Sequence, residues 1–420
     1  MKMRAYKLAR RLSSKRLSWK RRLTTILAFL VIAALGGFLY AWAGLAPISA
    51  RSGHWSVTAW FLHFAMRQGV ETRAAVGVEK PADVDLADPV LALRGAPHFA
   101  SGCAPCHGAP GEARSAIARA MTPRPPRLEE RVPDWSDEEL FWILQNGIKF
   151  SAMPAWPADH REDEVWAMVA FLRRLPGMTP EEWRAMAGLD AGRAAPEMEV
   201  STGAAAGGGT RIRGLLDRVG EGAREQLVES CARCHGLDGL GRGEGGGGGE
   251  GAFPKLAGQK ETYLYASLRA YAEDERQSGF MRPVAVALSD AEMRDLAAYY
   301  SALAPGDGAV EAVGSEEARA LGAEIAARGV PARGIPACDS CHGPGTSAYY
   351  PFIAGQYEEY LSLQLEAWRA GDRGGTPFAH VMHMAAEDLT DPEIAALAAY
   401  YASLPAHGGR ADEARARTSP

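Results

Sequence analysis

The sequence predicts an all-α chain in which three tandem helical units follow a single N-terminal transmembrane helix. Residues 23–50 contain no charged side chain, and the motif Cys-x-x-Cys-His occurs three times. No segment shows the alternation of apolar and polar residues that is typical of a half-buried β-strand. A length of 420 residues is sufficient for roughly two to four domains.

The composition excludes several classes of protein. Hydrophobic residues make up 47% and charged residues 23% of the chain, which is ordinary globular usage and not that of a disordered, fibrous or polytopic chain. The net charge of −5 is unevenly distributed, because residues 1–22 carry ten Lys or Arg and no acid. Residues 23–420 therefore sum to −15, which argues against nucleic acid as the main partner.

The uncharged stretch from Leu23 to Ala50 predicts a membrane anchor over residues 23–46. A helix that crosses the hydrocarbon needs about 20 apolar residues, whereas the apolar part of a signal peptide has about 7–15. The positive-inside rule keeps the basic segment 1–22 in the cytoplasm. The remainder is then expected on the periplasmic side of the inner membrane, with a long cleaved signal as the alternative.

The segment from His54 to Met66 is too short to span a bilayer but is rich in aromatic residues, which favour a membrane interface. We predict a helix that lies near the lipid headgroups or against the first helical unit. His54 and His63 are conceivable ligands of a further cofactor, although histidines in such a segment are more often interfacial or packed.

The second and third units are two copies of one domain. Three residue pairs align at an offset of 97 and two at 101, whereas the cysteine motifs align at 107. The excess lies in the Gly-rich stretch Gly239–Gly251, which predicts a surface loop. The pairs at 97 are Tyr263 with Tyr360, Leu268 with Leu365 and Tyr271 with Trp368, and those at 101 are Met281 with Met382 and Leu288 with Leu389.

Each unit has a late amphipathic helix that starts with a capping box, in which a Ser or Thr precedes a Glu by three positions. The boxes are Ser136 with Glu139, Ser289 with Glu292 and Thr390 with Glu393. A further helix, Glu164–Leu175, closes the first unit. The predicted organisation is a basic segment 1–22, an anchor 23–46, a connecting segment 47–86, a first domain 87–180, a linker 181–213, a second domain 214–306, a third domain 307–408 and a tail 409–420.

The motif Cys-x-x-Cys-His has a specific chemical use, because two thiols on one helical turn can add to the vinyl groups of a haem while the histidine ligates the iron. Zinc would require two neighbouring cysteine pairs, but the pairs lie 128 and 107 residues apart. Disulfides would leave the following histidine unexplained, and thioredoxin-like motifs need a strand–helix context. The sequence therefore predicts three covalently bound haem c groups, attached at Cys103, Cys106, Cys231, Cys234, Cys338 and Cys341, with His107, His235 and His342 as iron ligands.

A methionine follows each motif at a corresponding place before the last helix. Met153 and Met281 lie 46 residues after His107 and His235, and Met382 lies 40 after His342. A lone methionine usually fills a core gap, but three in corresponding places predict the second axial ligands. Alternatives remain open, namely Met384 or His383 for the third iron and Met121 for the first.

These motifs resemble class I cytochrome c over residues 87–405, and the last two units resemble the di-haem cytochrome c-4 type. The features that carry the second resemblance are Leu256-Ala257-Gly258-Gln259, Ile335-Pro336-Ala337 before Cys338, and Ala398-Ala399-Tyr400-Tyr401. The resemblance implies that the last two units pack as a pseudo-symmetric pair. The first unit is a departure from the c-4 type, as is Glu273-Asp274-Glu275-Arg276 where the third unit has Arg369-Ala370-Gly371-Asp372-Arg373.

Ligation by His and Met leaves iron no vacant position and favours Fe(II), which suits electron transfer and not bond making. We expect a membrane-anchored electron carrier that connects a quinol-oxidising or dehydrogenase complex with a terminal oxidase or a soluble cytochrome in a respiratory chain. The acidic body would attract a basic redox protein. The alternatives are a haem peroxidase or reductase with one open iron, and the cytochrome subunit of a membrane-bound dehydrogenase.

Overall fold

A computed structural model of the chain describes residues 2–46, 48–190, 221–243, 251–306, 314–343 and 345–406. The described residues form helices and loops, and their β-structure is confined to isolated bridges, so the all-α prediction is confirmed. The chain divides into two compact units, Met1–Ala59 and Trp60–Pro420.

The N-terminal unit is dominated by helix α1 (Lys2–Trp42), which continues through the basic segment into the apolar one. Its part Trp19–Trp42 is long and apolar enough to cross a membrane, with a mean hydropathy of 2.2, a test that a signal sequence also passes. The helix ends at Trp42, before the expected limit of the anchor at residue 46, because Gly44 turns the chain with a φ of 70°.

Helix α2 (Ser56–Gly77) extends well past the predicted aromatic stretch. The side chains of Trp60, Phe61 and Phe64 are exposed. Further along the same helix, Val70 and Ala74 are fully buried. The second half of α2 also packs against the first helical domain, where the Arg67 guanidinium lies 4.5 Å from the ring centroid of Trp135.

Domain 1, residues 78–190, is built around a buried aromatic cluster. The ring centroid of Phe99 lies 5.1 Å from that of Phe171 and 5.4 Å from that of Trp183. The elements are α3 (Pro89–His98), a π-turn (Phe99–Cys103), α4 (Ala104–His107), α5 (Ala116–Ala120), α6 (Leu128–Arg131), a 3-10 turn (Val132–Asp134), α7 (Asp137–Asn146), α8 (Glu162–Arg174) and α9 (Pro180–Met186).

Domain 1 does not end at residue 180, as the sequence boundaries predict, but continues into the predicted linker. A capping box between Thr179 and Glu182 starts α9, and this helix inserts Trp183 into the core with 1% of its surface exposed. The missed element is a short helix whose two large apolar residues, Trp183 and Met186, are too few to give a periodic pattern. The rest of the predicted linker, residues 191–213, lies outside the described residues.

Domain 2 (221–306) and domain 3 (314–406) have the same order in their last three helices, whereas the cysteine motif ends the first helix of domain 2 and lies on a separate short helix in domain 3. The predicted capping boxes at Ser136, Ser289 and Thr390 are present in the structure. Domain 2 contains α10 (Glu221–His235), α11 (Glu261–Ala272), α12 (Met281–Val286) and α13 (Asp290–Ala302). Domain 3 contains α14 (Glu316–Arg328), a 3-10 turn (Pro331–Arg333), α15 (Asp339–His342), α16 (Glu358–Ala370), α17 (Ala379–Ala386) and α18 (Asp391–Ala402).

In domains 1 and 3 the first and last long helices cross at a glycine. A Cβ atom at Gly95 of α3 would lie 2.8 Å from the Ala167 carbonyl oxygen of α8, and one at Gly322 of α14 would lie 2.1 Å from that of Ala396 in α18. Only glycine permits this close approach of two backbones. The crossing fixes the relative position of the two helices, and in each of these domains the cysteine motif follows the first of them.

Domains 2 and 3 pack as a pseudo-symmetric pair. The Gln259 side chain accepts from the Phe352 N–H and donates to the Phe352 carbonyl, at 2.9 and 2.8 Å. The Gln356 side chain makes the same two bonds to Lys255, each at 3.0 Å. Gln356 and Phe352 are the repeat equivalents of Gln259 and Lys255 at the offset of 97, so each domain gives the other the same contact.

Candidate functional site

The histidine of each Cys-x-x-Cys-His motif makes the same hydrogen bond. The Nδ1 atoms of His107, His235 and His342 lie 2.9, 3.1 and 3.0 Å from the carbonyl oxygens of Pro126, Pro254 and Pro351. A carbonyl accepts only, so Nδ1 carries the proton and Nε2 keeps a free lone pair. This bond orients metal-ligating histidines in proteins, and it occurs here three times.

The surroundings of these histidines favour the neutral ring that a metal requires. Burial lowers the pKa of His107, His235 and His342 below the ordinary value of 6.5, and the bond to the proline carbonyl offsets only part of this effect. At pH 7 each ring is therefore neutral and can donate the Nε2 lone pair to a metal.

The six cysteines are half-buried and unpaired, and each pair lies on one helical turn beside its histidine. Cys103, Cys231 and Cys338 pack against the cores of domains 1, 2 and 3. Burial raises the pKa of Cys103 and Cys234 to about 12, which keeps these thiols protonated. Over the described residues, no group of three or more His, Cys, Asp or Glu side chains forms a metal site of the zinc type.

The predicted methionines are placed differently in the three domains. Met153 is half-buried against the core of domain 1, in the connection between α7 and α8. Met281 is the first residue of α12, and Met382 lies within α17. Met281 and Met382 line the same cavity as His235 and His342.

The competing ligands for the third iron face elsewhere. Met384 is 56% exposed. The Nδ1 atom of His383 lies 2.8 Å from the Trp368 carbonyl oxygen, and its Nε2 atom lies 3.8 Å from Glu387. Neither residue lines the cavity that Met382 lines.

A single large cavity joins domains 2 and 3. Its empty space is about 2020 Å³, including the part open to solvent, and its lining is mostly apolar. Cys231 and His235 lie in the domain 2 part, and Cys338 and His342 in the domain 3 part. Both cysteine motifs thus open into one space lined by aromatic and aliphatic side chains, which suits a flat apolar group.

Two buried arginines face this cavity without an acidic partner among the described residues. Arg276 donates to the Tyr360 hydroxyl at 2.9 Å, and Arg373 donates to the Tyr263 hydroxyl at 2.6 Å. The Nε atom of Arg373 is buried and has no hydrogen-bond partner. Burial raises the pKa of Tyr263, but the two guanidinium groups outweigh it and hold this pKa at about 8.

Buried positive charges of this kind require anionic partners. A haem has an apolar ring and two propionate groups, and it fits both the apolar walls and the unpaired Arg373 Nε of the cavity. The cysteines, the Nε2 atoms and the arginines could together provide attachment, ligation and charge neutralisation for this group.

Sequence reasoning identified the cysteines and histidines by their motif but missed Arg276 and Arg373 as cavity residues. A signal was present, because the two arginines occupy equivalent positions at the repeat offset of 97. In the sequence comparison, their segments Glu273-Asp274-Glu275-Arg276 and Arg369-Ala370-Gly371-Asp372-Arg373 stand as a difference between the two units. The charge pattern around the arginines does differ, but their own positions are equivalent.

The chain matches two known family profiles. The profile described as "Cytochrome C oxidase, cbb3-type, subunit III" matches residues 91–172, and the one described as "Cytochrome c" matches residues 221–304. The domain 3 motif lies outside both matches.

Several known proteins are similar to part of the chain. The thiosulfate dehydrogenase electron acceptor of Stutzerimonas stutzeri (strain A1501) is 39% identical over 188 residues, which cover 44% of this chain and 83% of that protein. Cytochrome c4 of Pseudomonas aeruginosa is 31% identical over 200 residues, which cover 46% of this chain and 93% of that protein. The crystal structure of reduced recombinant cytochrome c4 from Pseudomonas stutzeri has 30% identity and a TM-score of 0.37, and covers 44% of this chain and 97% of that chain.

Identity at this level extends over most of the length of the relatives. The histidines of the chain's cysteine motifs are, in addition, oriented for metal ligation. The chain therefore belongs to the cytochrome c family, whose domains bind haem c covalently and transfer electrons.

Proposed function

We propose that the chain is a membrane-anchored tri-haem cytochrome that passes electrons along a respiratory chain. Each domain would hold one haem c through its cysteine pair. The observation that carries this proposal is the bond from each motif histidine to a proline carbonyl, since it occurs in all three domains. In domain 1 this hydrogen bond joins the same kinds of atoms, at a similar distance, as in domains 2 and 3.

The second axial ligands in this proposal are Met153, Met281 and Met382. Support comes from the position of Met281 and Met382 on the cavity that their histidines also line, and from the exposure of the competitor Met384. For Met153 the support is its half-buried place against the domain 1 core, against which Cys103 also packs.

The bound haem supplies a one-electron Fe(III)/Fe(II) couple. The motif histidines and the three methionines would ligate the iron, the apolar lining would exclude water, and Arg276 and Arg373 would neutralise the propionates. Ligation by the same residues in both oxidation states would let the protein change charge with little change in structure. This arrangement suits transfer of electrons between partners and leaves no site for a substrate.

The relatives suggest the kind of electron donor. One similar protein is named a thiosulfate dehydrogenase electron acceptor. We therefore propose a dehydrogenase of reduced sulfur compounds as one candidate donor, beside the quinol-oxidising complex that the membrane anchor favours. The acidic body, residues 23–420 with a net charge of −15, would attract a basic acceptor such as a soluble cytochrome or an oxidase subunit.

We place the haem domains on the periplasmic face of the cytoplasmic membrane. The support is the apolar helix Trp19–Trp42 and the basic residues that precede it. Membrane fractionation of the full chain, compared with a chain lacking residues 1–46, tests the anchor. If expression of the full sequence instead yields a soluble protein with a shortened N-terminus, the apolar helix is a cleaved signal.

The decisive experiment is expression with a haem-attachment system, followed by mass and optical spectroscopy. We expect a mass with three added porphyrins, and loss of one methionine–iron charge-transfer contribution in each of Met153→Leu, Met281→Leu and Met382→Leu. A mass without added porphyrin would refute the proposal.

The rival function is a peroxidase or reductase with one open iron, and ligand binding discriminates the two. Rapid binding of carbon monoxide to one reduced iron of the wild-type protein would favour the enzyme. The donor is tested by stopped-flow reduction of the haems with thiosulfate dehydrogenase and thiosulfate, in parallel with a quinol-oxidising membrane fraction.

A further inference from the structure

Domain 1 contacts domain 2 at the segment that carries Met281, and a buried carboxylate makes this contact. Glu164 lies in the first turn of α8 with 3% of its surface exposed. Its Oε1 accepts from the Ser278 hydroxyl at 2.5 Å, and its Oε2 accepts from the Gly279 N–H at 2.5 Å. Both donors belong to domain 2, so the carboxylate bridges the two domains.

The bonds continue from Glu164 to the backbone of Met281. The Ser278 hydroxyl oxygen accepts from the Met281 N–H at 3.1 Å. Arg161 forms ion pairs with Glu164 at 2.9 Å and with Asp163 at 2.8 Å, and it donates to the Gln277 carbonyl at 2.7 Å. Arg161 and Glu164 therefore both hold residues 277–279, which immediately precede Met281.

Aromatic rings complete the contact. The Trp156 indole N–H donates to Glu164 Oε2 at 3.3 Å. The ring centroid of Trp156 lies 5.6 Å from that of Phe280 and 5.0 Å from that of His98, and the last two are 5.1 Å apart. A Cβ atom at Gly279 would lie 2.2 Å from the indole nitrogen, so Trp156 rests directly on the glycine.

The contact joins the two methionine segments. Trp156 follows Met153 by three residues, and its backbone N–H donates to the Gln145 carbonyl at 3.1 Å. Phe280 precedes Met281 directly. The methionine segment of domain 1 thus lies against the methionine segment of domain 2.

Arg161 would keep Asp163 as a partner if Glu164 were removed. A buried ion pair adds little stability compared with well-packed apolar residues. Its advantage is a fixed geometry, because hydrogen bonds to a carboxylate are short and directional. At this interface, the hydrogen bonds of Glu164 and Arg161 fix the positions of residues 277–279, just before Met281.

We propose that Glu164 is a positioning residue for the second haem site, which holds the Met281 segment of domain 2 against Trp156 of domain 1. This inference rests on the proposed function in one respect, the assignment of Met281 as distal ligand. In this proposal, domain 1 contributes to the second haem site and is not an independent domain attached by a linker.

The test uses the full haem-loaded chain and the variants Glu164→Ala, Glu164→Gln and Glu162→Ala. Glu162 is the matched control, because it lies in the same helical turn and is exposed. Amide hydrogen exchange over residues 277–281 and the midpoint potentials of the haems are measured. We expect exchange in Glu164→Ala to become faster by roughly tenfold, as for the loss of a charge-assisted hydrogen bond. One potential should shift while the other two stay unchanged.

Glu164→Gln keeps the shape and one acceptor oxygen but loses the charge and the second acceptor, so its exchange rate should lie between those of the wild type and Glu164→Ala. Gly279→Ala tests the contact from domain 2, since the added methyl group must displace Trp156, and it should reproduce the faster exchange. If Glu164→Ala does not fold, Gly279→Ala still tests the proposal.

The proposal is overturned if Glu164→Ala exchanges like Glu162→Ala, or if exchange becomes faster while all three potentials stay the same. The second outcome would show a merely structural contact. Two other measurements test the proposed function itself, namely the mass of the wild-type protein and the optical spectrum of Met281→Leu. Hydrogen exchange does not depend on a haem signal, so the two proposals can fail separately.

Discussion

Arg276 and Arg373 face each other across an antiparallel bridge between domains 2 and 3. Each arginine donates to the tyrosine of the other domain, Tyr360 for Arg276 and Tyr263 for Arg373. Both also donate to the same Gln364 amide oxygen, at 2.9 and 2.7 Å. The bridge therefore lies at the centre of the pseudo-symmetric pair.

Each of these arginines also lies over an aromatic ring of its own domain. The guanidinium carbon of Arg276 is 4.5 Å from the centroid of Tyr271, and that of Arg373 is 4.9 Å from the centroid of Trp368. The symmetry places two positive charges side by side on the cavity that both cysteine motifs face. Such an arrangement is stable only with negative charge nearby, which the propionates of two haems would supply.

Replacement of Arg373 by Gln should lower the midpoint potential of a haem in the shared cavity. Removal of a positive charge stabilises Fe(III) relative to Fe(II). We expect a decrease on the order of 60 mV, which corresponds to a tenfold change in a one-electron equilibrium. Spectroelectrochemical titration measures it.

Two further variants control this measurement. Arg373→Lys keeps the charge and should retain most of the potential, although it loses the planar fork that Tyr263 and Gln364 bind. Arg294→Gln removes a surface arginine paired with Asp290 and should leave all potentials unchanged. Equal potentials in Arg373→Gln and the wild type would contradict a propionate role.

Met382→Leu and Met384→Leu form a matched pair, because the two methionines lie on the same helix two positions apart. Met382→Leu should remove one methionine–iron charge-transfer contribution and make one iron accessible to carbon monoxide. Met384→Leu should leave the optical spectrum unchanged, since its side chain is mostly exposed. The reverse result would assign Met384 as the third ligand.

His160 should make the contact between domains 1 and 3 sensitive to pH. Its Nδ1 atom lies 2.7 Å from a carboxylate oxygen of Asp372, and this hydrogen bond raises the pKa of His160 above 6.5. The stabilising contribution is complete below the unfolded pKa of about 6.5 and disappears as the pH rises through the higher folded pKa.

Histidine NMR titration of the wild type and Asp372→Asn checks this prediction. The pKa of His160 should fall towards 6.5 in the variant, and the pH dependence of the domain contact should disappear with it. An unchanged His160 pKa in Asp372→Asn would show that this pair does not form in solution.

Trp183→Ala should destabilise domain 1 by roughly 3–5 kcal/mol, the usual cost of removing a buried aromatic side chain. The ring contacts Phe99 and Phe171, so its removal leaves a cavity in the core. Ile117→Ala is the control, because Ile117 is 74% exposed, and it should change the free energy of unfolding by less than about 0.5 kcal/mol. Denaturant unfolding measures both, and similar midpoints would place residues 181–187 outside the core.

The sequence predicted those features that depend on local rules. The capping boxes at Ser289 and Thr390 start their helices as expected, because the pattern involves only four consecutive residues. The repeat also predicted equivalent positions such as Tyr263 and Tyr360. The contact of these tyrosines with arginines of the opposite domain depends on how the two copies pack. The periodicity of a sequence carries no information about that packing.

The contact around Glu164 was missed for the same reason. The sequence pattern predicts Glu164 only as the first residue of a helix. A clue was present in the pattern, since Glu164 lies on the same helix face as Met168, Phe171 and Leu175, all of which are buried. The partners Ser278 and Gly279 come from a segment more than a hundred residues away, so only the tertiary structure identifies them.

The chain between a motif histidine and its proline varies in length while the hydrogen bond stays the same. The separation is 19 residues for His107 and His235 but 9 for His342. In domain 2 the Arg242 carbonyl, on the motif side of the Gly-rich stretch, accepts from the Ala252 N–H at 2.9 Å on the other side. Since the Arg242 N–H also donates to the Cys234 carbonyl at 3.0 Å, an affinity peptide inserted between Gly243 and Gly251 would attach the protein to an electrode close to the second cysteine motif.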